Sequence, residues 1–149
     1  MKRFTFRLQR ILDIREQIRD EARQELGRRN AVLAQERSML EGLEAELQRL
    51  NAPGDGIVTA GELLLTGTYA LRVQKMIEQQ VIKVEEARKA VVEAQEKYFQ
   101  ANRDARALEM LKEKKRAEYN QQVLKEEINQ LDEVAMQRAG REKRGSEGI

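Results

Sequence analysis

The sequence predicts an all-α chain: a long two-helix antiparallel coiled coil, a helical hairpin whose second helix is longer than its first. Three observations predict it. Charged residues are 36% and hydrophobic residues 40% of 149, while aromatics are only 4%. That is the profile of long helices, not of a core built on aromatic anchors or of a disordered chain. Helix breakers gather in one place, between Asn51 and Gly61. On both sides of it apolar residues recur at steps of three and four, the spacing of a helix that faces a partner helix.

The first helix is expected over roughly 4–50. Its seam runs Phe4, Leu8, Ile11, Arg15, Ile18, Ala22, Leu26, Arg29, Leu33, Glu36, Leu40, Leu43, Leu47, Leu50, with eleven of these fourteen positions apolar. The two successive steps of four at Ile18, Ala22 and Leu26 read as a stutter, a local unwinding of the supercoil. A turn follows at about 51–60. Pro53 cannot continue a helix and restricts Ala52. Thr59-Ala60-Gly61-Glu62 has the spacing of a capping box, which starts the second helix.

That second helix is expected over roughly 60–139. Its seam runs Ala70, Val73, Ile77, Gln80, Val84, Ala87, Val91, Ala94, Tyr98, Ala101, Ala105, Leu108, with eleven of twelve positions apolar and no break in the period. The many alanines imply close approach. The same register continues as Lys112, Lys115, Tyr119, Gln122 and Glu126, of which only Tyr119 is apolar. A short separate seam appears at Leu124, Ile128, Leu131 and Ala135. A hairpin turning near residue 55 sets residue i opposite about 112 − i, so Leu50 faces the start of helix two and Phe4 faces Leu108. The heptads then stop where helix one runs out. About 30 residues of helix two project alone, adding about 45 Å to a hairpin of about 70 Å. One hairpin domain is thus expected over about 1–140, with 141–149 as a disordered tail, since the stretch from Gly140 to Ile149 has three glycines and little apolar content.

Composition removes several chemistries. Without Cys or His there is no zinc ligand set, thiol nucleophile, imidazole base or disulfide framework. Gly54-Asp55-Gly56 is not a phosphate loop, because no Gly-x-x-x-x-Gly-Lys pattern and no strand accompany it. No cofactor, small-molecule substrate or enzymatic activity is expected. No apolar run is long enough for a membrane span. The start, Met1 to Arg7, lacks the apolar stretch of a secretory signal, so a cytoplasmic protein is the default. The net charge of +2 is near balance. Glu85, Glu86, Glu93 and Glu96 sit among the basic residues of helix two, which argues against a nucleic-acid-binding arm.

Three surfaces stand out. Lys2, Arg3, Arg7 and Arg10 precede the first acid, Asp13, and oppose the helix macrodipole, with Phe4, Phe6 and Leu8 adding apolar surface. The run Lys112-Glu113-Lys114-Lys115-Arg116 lies level with them by the pairing estimate, so positive charge gathers at the open end. Around the turn lie Ile57, Val58, Leu64, Leu65, Tyr69 and Met76. Leu63, Leu64 and Leu65 cannot all face one helix, and some are expected to pack over the loop.

Phe4-Thr5-Phe6-Arg7-Leu8-Gln9-Arg10-Ile11-Leu12 resembles the opening of flagellar FliJ proteins. Tyr69 followed by Ile77-Glu78-Gln79-Gln80 resembles the middle of that family, and Leu131-Asp132-Glu133-Val134-Ala135-Met136-Gln137-Arg138 its Asp-Glu-x-Ala-x-x-Arg ending. The aliphatic Leu43 and Leu47 stand where more aromatic character would be expected. The resemblance implies a non-enzymatic component of the flagellar type III export apparatus, similar to the central stalk of rotary ATPases. Its implied partners are the export ATPase hexamer, the cytoplasmic domain of the export gate and the export chaperones. Its implied place is the cytoplasm at the inner-membrane flagellar base, with any membrane association peripheral and through partners. It places the gate contact near Tyr69, Val73 and Met76, with Leu43 and Leu47 across the seam. A narrow, asymmetric rod suits the pore of a ring. The expected ATPase-binding end therefore carries Lys2, Arg3, Phe4, Phe6, Arg7, Arg10, Lys112, Lys114, Lys115, Arg116, Leu124, Ile128 and Leu131. The rival readings are the equivalent stalk of a virulence-type secretion system, a generic structural coiled coil and a nucleic-acid-binding one.

Overall fold

The structure is a computed structural model that describes residues 2–54 and 56–147. Two helices make it up, α1 (Gln9–Asn51) and α2 (Ala60–Glu147), with no strand among the described residues. They form an antiparallel hairpin with the second helix the longer. The break falls where Pro53 demands it, two residues after α1 ends. Asp55, part of the predicted turn, lies outside the described residues. α2 opens on the predicted capping box. The Glu62 N–H donates to Thr59 Oγ1 at 3.2 Å and the Thr59 N–H to Glu62 Oε2 at 3.3 Å, so two of the unpaired amides at the helix start are satisfied.

The chain divides into two compact units. One comprises Glu16–Arg103. Here the twelve-position seam of α2 is found as read: every position from Ala70 to Tyr98, and Ala101 after them, is buried or half-buried. Val73 is 1% exposed, and Ala87, Val91, Ala94 and Ala101 are all buried. Leu33 packs with Ala87 and Val91, flanked by Leu26 and Val84. Two of the polar seam members, Glu36 on the first helix and Gln80 on the second, meet each other. The Gln80 amide, 4% exposed, donates to the Glu36 backbone carbonyl at 2.9 Å and also to the Glu36 carboxylate. A buried polar group satisfied in only one alignment specifies register as well as adding stability.

The first helix corrects the sequence reading near its start. Ile18, assigned to the seam, is exposed, and Arg19 takes that position, half-buried. With Arg19 in place the pattern Arg19, Leu26, Leu33, Leu40, Leu47 is an unbroken heptad, so the expected stutter is absent. The physical reason is that an arginine stem is apolar. It packs in the seam while its head reaches the Asn102 side-chain oxygen, 3.5 Å away. Arg23 lies over the Tyr98 ring, 5.8 Å from its centre.

The other unit comprises the chain up to Arg15 and from Asp104 onward. Ile11 and Arg15, also assigned to the seam, are exposed; Leu12 is buried at 2% exposure, and on α2 Ala105 is fully buried. The cause is that α1 does not begin at Phe4. Residues 2–6 are non-helical and a turn at Arg7 and Leu8 leads into the helix, marked by the Gln9 N–H donating to the Phe6 carbonyl at 3.1 Å. No acid lies in the first turn of α1, and four cations precede Asp13, so the helix dipole gives this stretch no reason to coil. Instead Phe4, Phe6 and Leu8 are half-buried while Arg3, Thr5 and Arg7 are exposed, the period-two burial of an extended segment.

The pairing moves accordingly. Phe4 does not face Leu108. It packs on Tyr119, ring centres 5.5 Å apart. Five residues in extended form reach about 3.3 Å each against 1.5 Å in a helix, which carries the segment further along α2. Cover on α2 therefore extends to Val123, and the helix is bare from Leu124 to Ser146. The unpaired stretch starts later than expected. The boundary at Gly140 also moves, because α2 continues to Glu147. No glycine among the described residues takes positive φ, so Gly140 makes no helix stop. Arg141, Lys143 and Arg144 suit the negative end of the helix, where the Ser146 hydroxyl donates to the Lys143 carbonyl at 2.9 Å. Gly148 and Ile149, the end of the predicted tail, lie outside the described residues.

Candidate functional surfaces

The first surface is the strap of residues 2–8 on α2. Tyr119 holds it twice. Its ring stacks at a tilt on Phe4, and its hydroxyl donates to the Lys2 carbonyl at 2.6 Å. Two grooves flank the strap. One, of about 660 Å³, is lined by Arg3, Phe4, Thr5, Phe6, Gln9, Lys112 and Arg116. Three cations thus share one wall space with two aromatic rings. The other, of about 620 Å³, is lined by Phe4, Thr5, Phe6, Arg7, Leu8, Leu111, Lys115, Glu118, Tyr119 and Gln122. Lys115 spends part of its charge locally, on Glu118 at 3.6 Å. The arrangement offers anion attraction next to apolar contact, which is how one protein surface steers and then grips another.

Of the residues expected at this end, the fold brings together Lys2, Arg3, Phe4, Phe6, Arg7, Lys112, Lys115 and Arg116. It leaves Arg10 and Lys114 exposed and lining neither groove. Leu124, Ile128 and Leu131 are 58%, 53% and 69% exposed on the bare part of α2. Tyr119 and Leu111 were not among the expected residues. The signal that could have found Tyr119 is the alternation Phe4, Phe6, Leu8, which needs an apolar shelf to lie on.

The second surface is at the turn end. Every residue from Ala60 to Tyr69 is exposed, so Leu63, Leu64 and Leu65 do not pack over the loop as expected. Among the described loop residues, Ala52, Pro53, Gly54 and Gly56 offer no large side chain to receive them, and Ile57 and Val58 are themselves exposed. Tyr69 and Met76 remain accessible, at 45% and 44%. Val73 is a core residue and offers no free surface, and Leu43 and Leu47 are half-buried. Nearby, the Glu46 carboxylate accepts from the Arg49 guanidinium at 2.5 Å and raises its already high pKa.

Among the described residues no cluster of His, Cys, Asp or Glu could hold a metal ion, and no helix is long and apolar enough to cross a membrane. No curated protein and no solved structure matches the chain. A family match does cover the strap from Phe4 on, all of α1 and α2 up to Arg144. Over residues 4–144 the sequence fits the flagellar FliJ protein, and the chain belongs to that family of flagellar, export-related proteins.

Proposed function

We propose that this chain is a central-stalk-like component of the flagellar type III export apparatus. In this reading the end bearing the strap binds the export ATPase ring and promotes its assembly and activity. The exposed Tyr69 and Met76 face contacts the export gate, and export chaperones are further clients. The protein then works in the cytoplasm at the inner-membrane flagellar base, held there by its partners.

The observation that carries the reading is the convergence of Arg3, Lys112 and Arg116 on one groove with Phe4 and Phe6, next to a bare helix with Leu124, Ile128 and Leu131 on its surface. Charge close to the strap accelerates encounter with an acidic pore lining. The apolar residues supply short-range contact. Neutralising Lys112, Lys114, Lys115 and Arg116 together should slow association with the ATPase, and the loss should shrink at high salt, where screening already removes the attraction. Deleting residues 124–149 leaves the strap clasp in place and should abolish stimulation of ATP hydrolysis. Full stimulation by the truncated chain would move the ATPase contact to the turn end.

A further inference from the structure

The first turns of α2 carry an apolar face that α1 does not cover. At 100° per residue, the seam toward α1 is Ala70, Val73 and Ile77. Ala60, Leu64, Gly67 and Leu71 follow a second line, about 120° round the helix. Their steps are four, three and four, the spacing of a coiled-coil seam. Leu64 is 73% exposed, Leu71 64%, and the adjoining Leu63 66%. From Leu63 to Leu71 there is no charged residue, in a chain that is more than a third charged. Glu62 and Arg72 bound this stretch but point off the face. Gly67 costs the helix about 1 kcal/mol relative to alanine, and an added Cβ there would meet no atom within 4 Å, as at every other described glycine.

We infer that this face is where a second copy of the chain docks, in antiparallel fashion through α2. Turn one helix end for end against the other and each leucine meets a small residue. Leu71 of one copy lies on Ala60 of the other, Leu64 lies on Gly67, and the two-fold axis repeats both pairs. The pattern is complementary to itself in shape. From Leu63 to Leu71 it sets no charge against its like. Next to Leu71, at the edge of this face, lies a groove of about 500 Å³ lined by Thr68, Leu71, Arg72, Gln74, Lys75 and Glu78. Ile57 and Val58, exposed just ahead of Ala60, come over that groove on the second copy. Leu63, Leu64, Leu71, Ile57 and Val58 together offer on the order of 600 Å² per copy, at the small end of specific interfaces, so the dimer is weak and reversible.

Sedimentation equilibrium of the full chain tests this. A monomer–dimer equilibrium should appear between about 10 µM and 1 mM. Gly67→Leu should weaken it at least about tenfold by filling the small position, while helix content holds or rises, because the site is open in the monomer. An association driven by apolar surface alone would instead strengthen with the added leucine. Leu64→Lys with Leu71→Lys should give a monomer of normal helicity. The chain has no cysteine, so a mixture of Leu64→Cys and Gly67→Cys variants should cross-link to each other faster than Leu64→Cys does to itself. A wild-type chain that stays monomeric across that range, a Gly67→Leu variant that dimerises as well as wild type, or cross-linking without this preference would overturn the proposal.

Discussion

One helix, α2, is held in two different ways. Along Ala70–Ala101 it is held by a strict heptad of small side chains, Ala87, Val91, Ala94 and Ala101 all buried, the first two packed with Leu33 of α1. Around Leu111–Val123 it is held by a strap that is not helical, through one ring contact and one hydroxyl. The first arrangement spreads its stabilisation over many positions, each dependent on close fit. The second concentrates it in Phe4 and Tyr119. The difference teaches that continuity of a helix does not make its cover uniform. A distributed seam fails as a whole, and a strap with two anchors can let go by itself.

The largest effect expected from this comparison comes from breaking the seam. Val91 is 7% exposed and packs with Leu33 and Ala87. Val91→Asp buries a carboxylate where no donor waits, at a cost of about 3 kcal/mol or more. Circular dichroism with a urea titration should show the midpoint falling steeply. A loss under about 1 kcal/mol would mean that the seam does not dominate the stability of this unit.

What was legible in the sequence follows the same division. Every α2 seam position from Ala70 to Leu108 could be read because packing two helices closely leaves no choice of period, and alanines at that spacing make room for a partner helix at short range. The capping box was readable because Thr59 and Glu62 act within four residues of each other. Arg19 was not legible because its neighbour Ile18 is apolar, and only three-dimensional packing reveals that an arginine stem fills the place. The strap was missed because Phe4 and Leu8 also satisfy a helical step of four. Phe6 was the residue that did not fit, and its alternation with Phe4 and Leu8 was the sign of an extended segment. Gly140 and its neighbours read as a disordered tail because glycine disfavours helix, while the basic residues beside them suit a helix end. As for the candidate surfaces, the charge clusters were visible as runs, but their meeting in one groove depends on Tyr119, which sits far away in sequence.

Breaking the strap should have an intermediate, local effect. Phe4→Ala removes the ring contact, worth about 1 kcal/mol, and Tyr119→Phe removes the hydrogen bond to the Lys2 carbonyl, worth about 0.5–1.5 kcal/mol. Amide exchange at residues 4–8 and tryptic cleavage after Arg3 and Arg7 should both accelerate. The urea midpoint of the 16–103 unit should stay where it is. A global midpoint that falls as far for Phe4→Ala as for Val91→Asp would show that strap and seam unfold as one, and the contrast between them would be lost.

The smallest effect belongs to the outer face of the same unit, where ion pairs decorate the seam without touching it. The Arg88 guanidinium donates to both oxygens of Glu85, at 2.7 and 3.0 Å. Those hydrogen bonds hold the Glu85 carboxyl below its ordinary value. The folded chain therefore keeps Glu85 ionised to a lower pH than the unfolded chain does. Stability from the pair is fully present above the unfolded value and is lost as pH falls through the folded one. Both groups are half exposed to water, so solvent and salt screen the pair and little survives as net stability. A urea titration of Glu85→Gln beside wild type should show a small deficit at neutral pH that closes on acidification, and that is already closed in molar salt. A deficit that persists in acid would assign the stabilisation to packing of the side chain. One as large as that of Phe4→Ala would mean that the outer ion pairs, and not only the alanine seam, hold this part of α2.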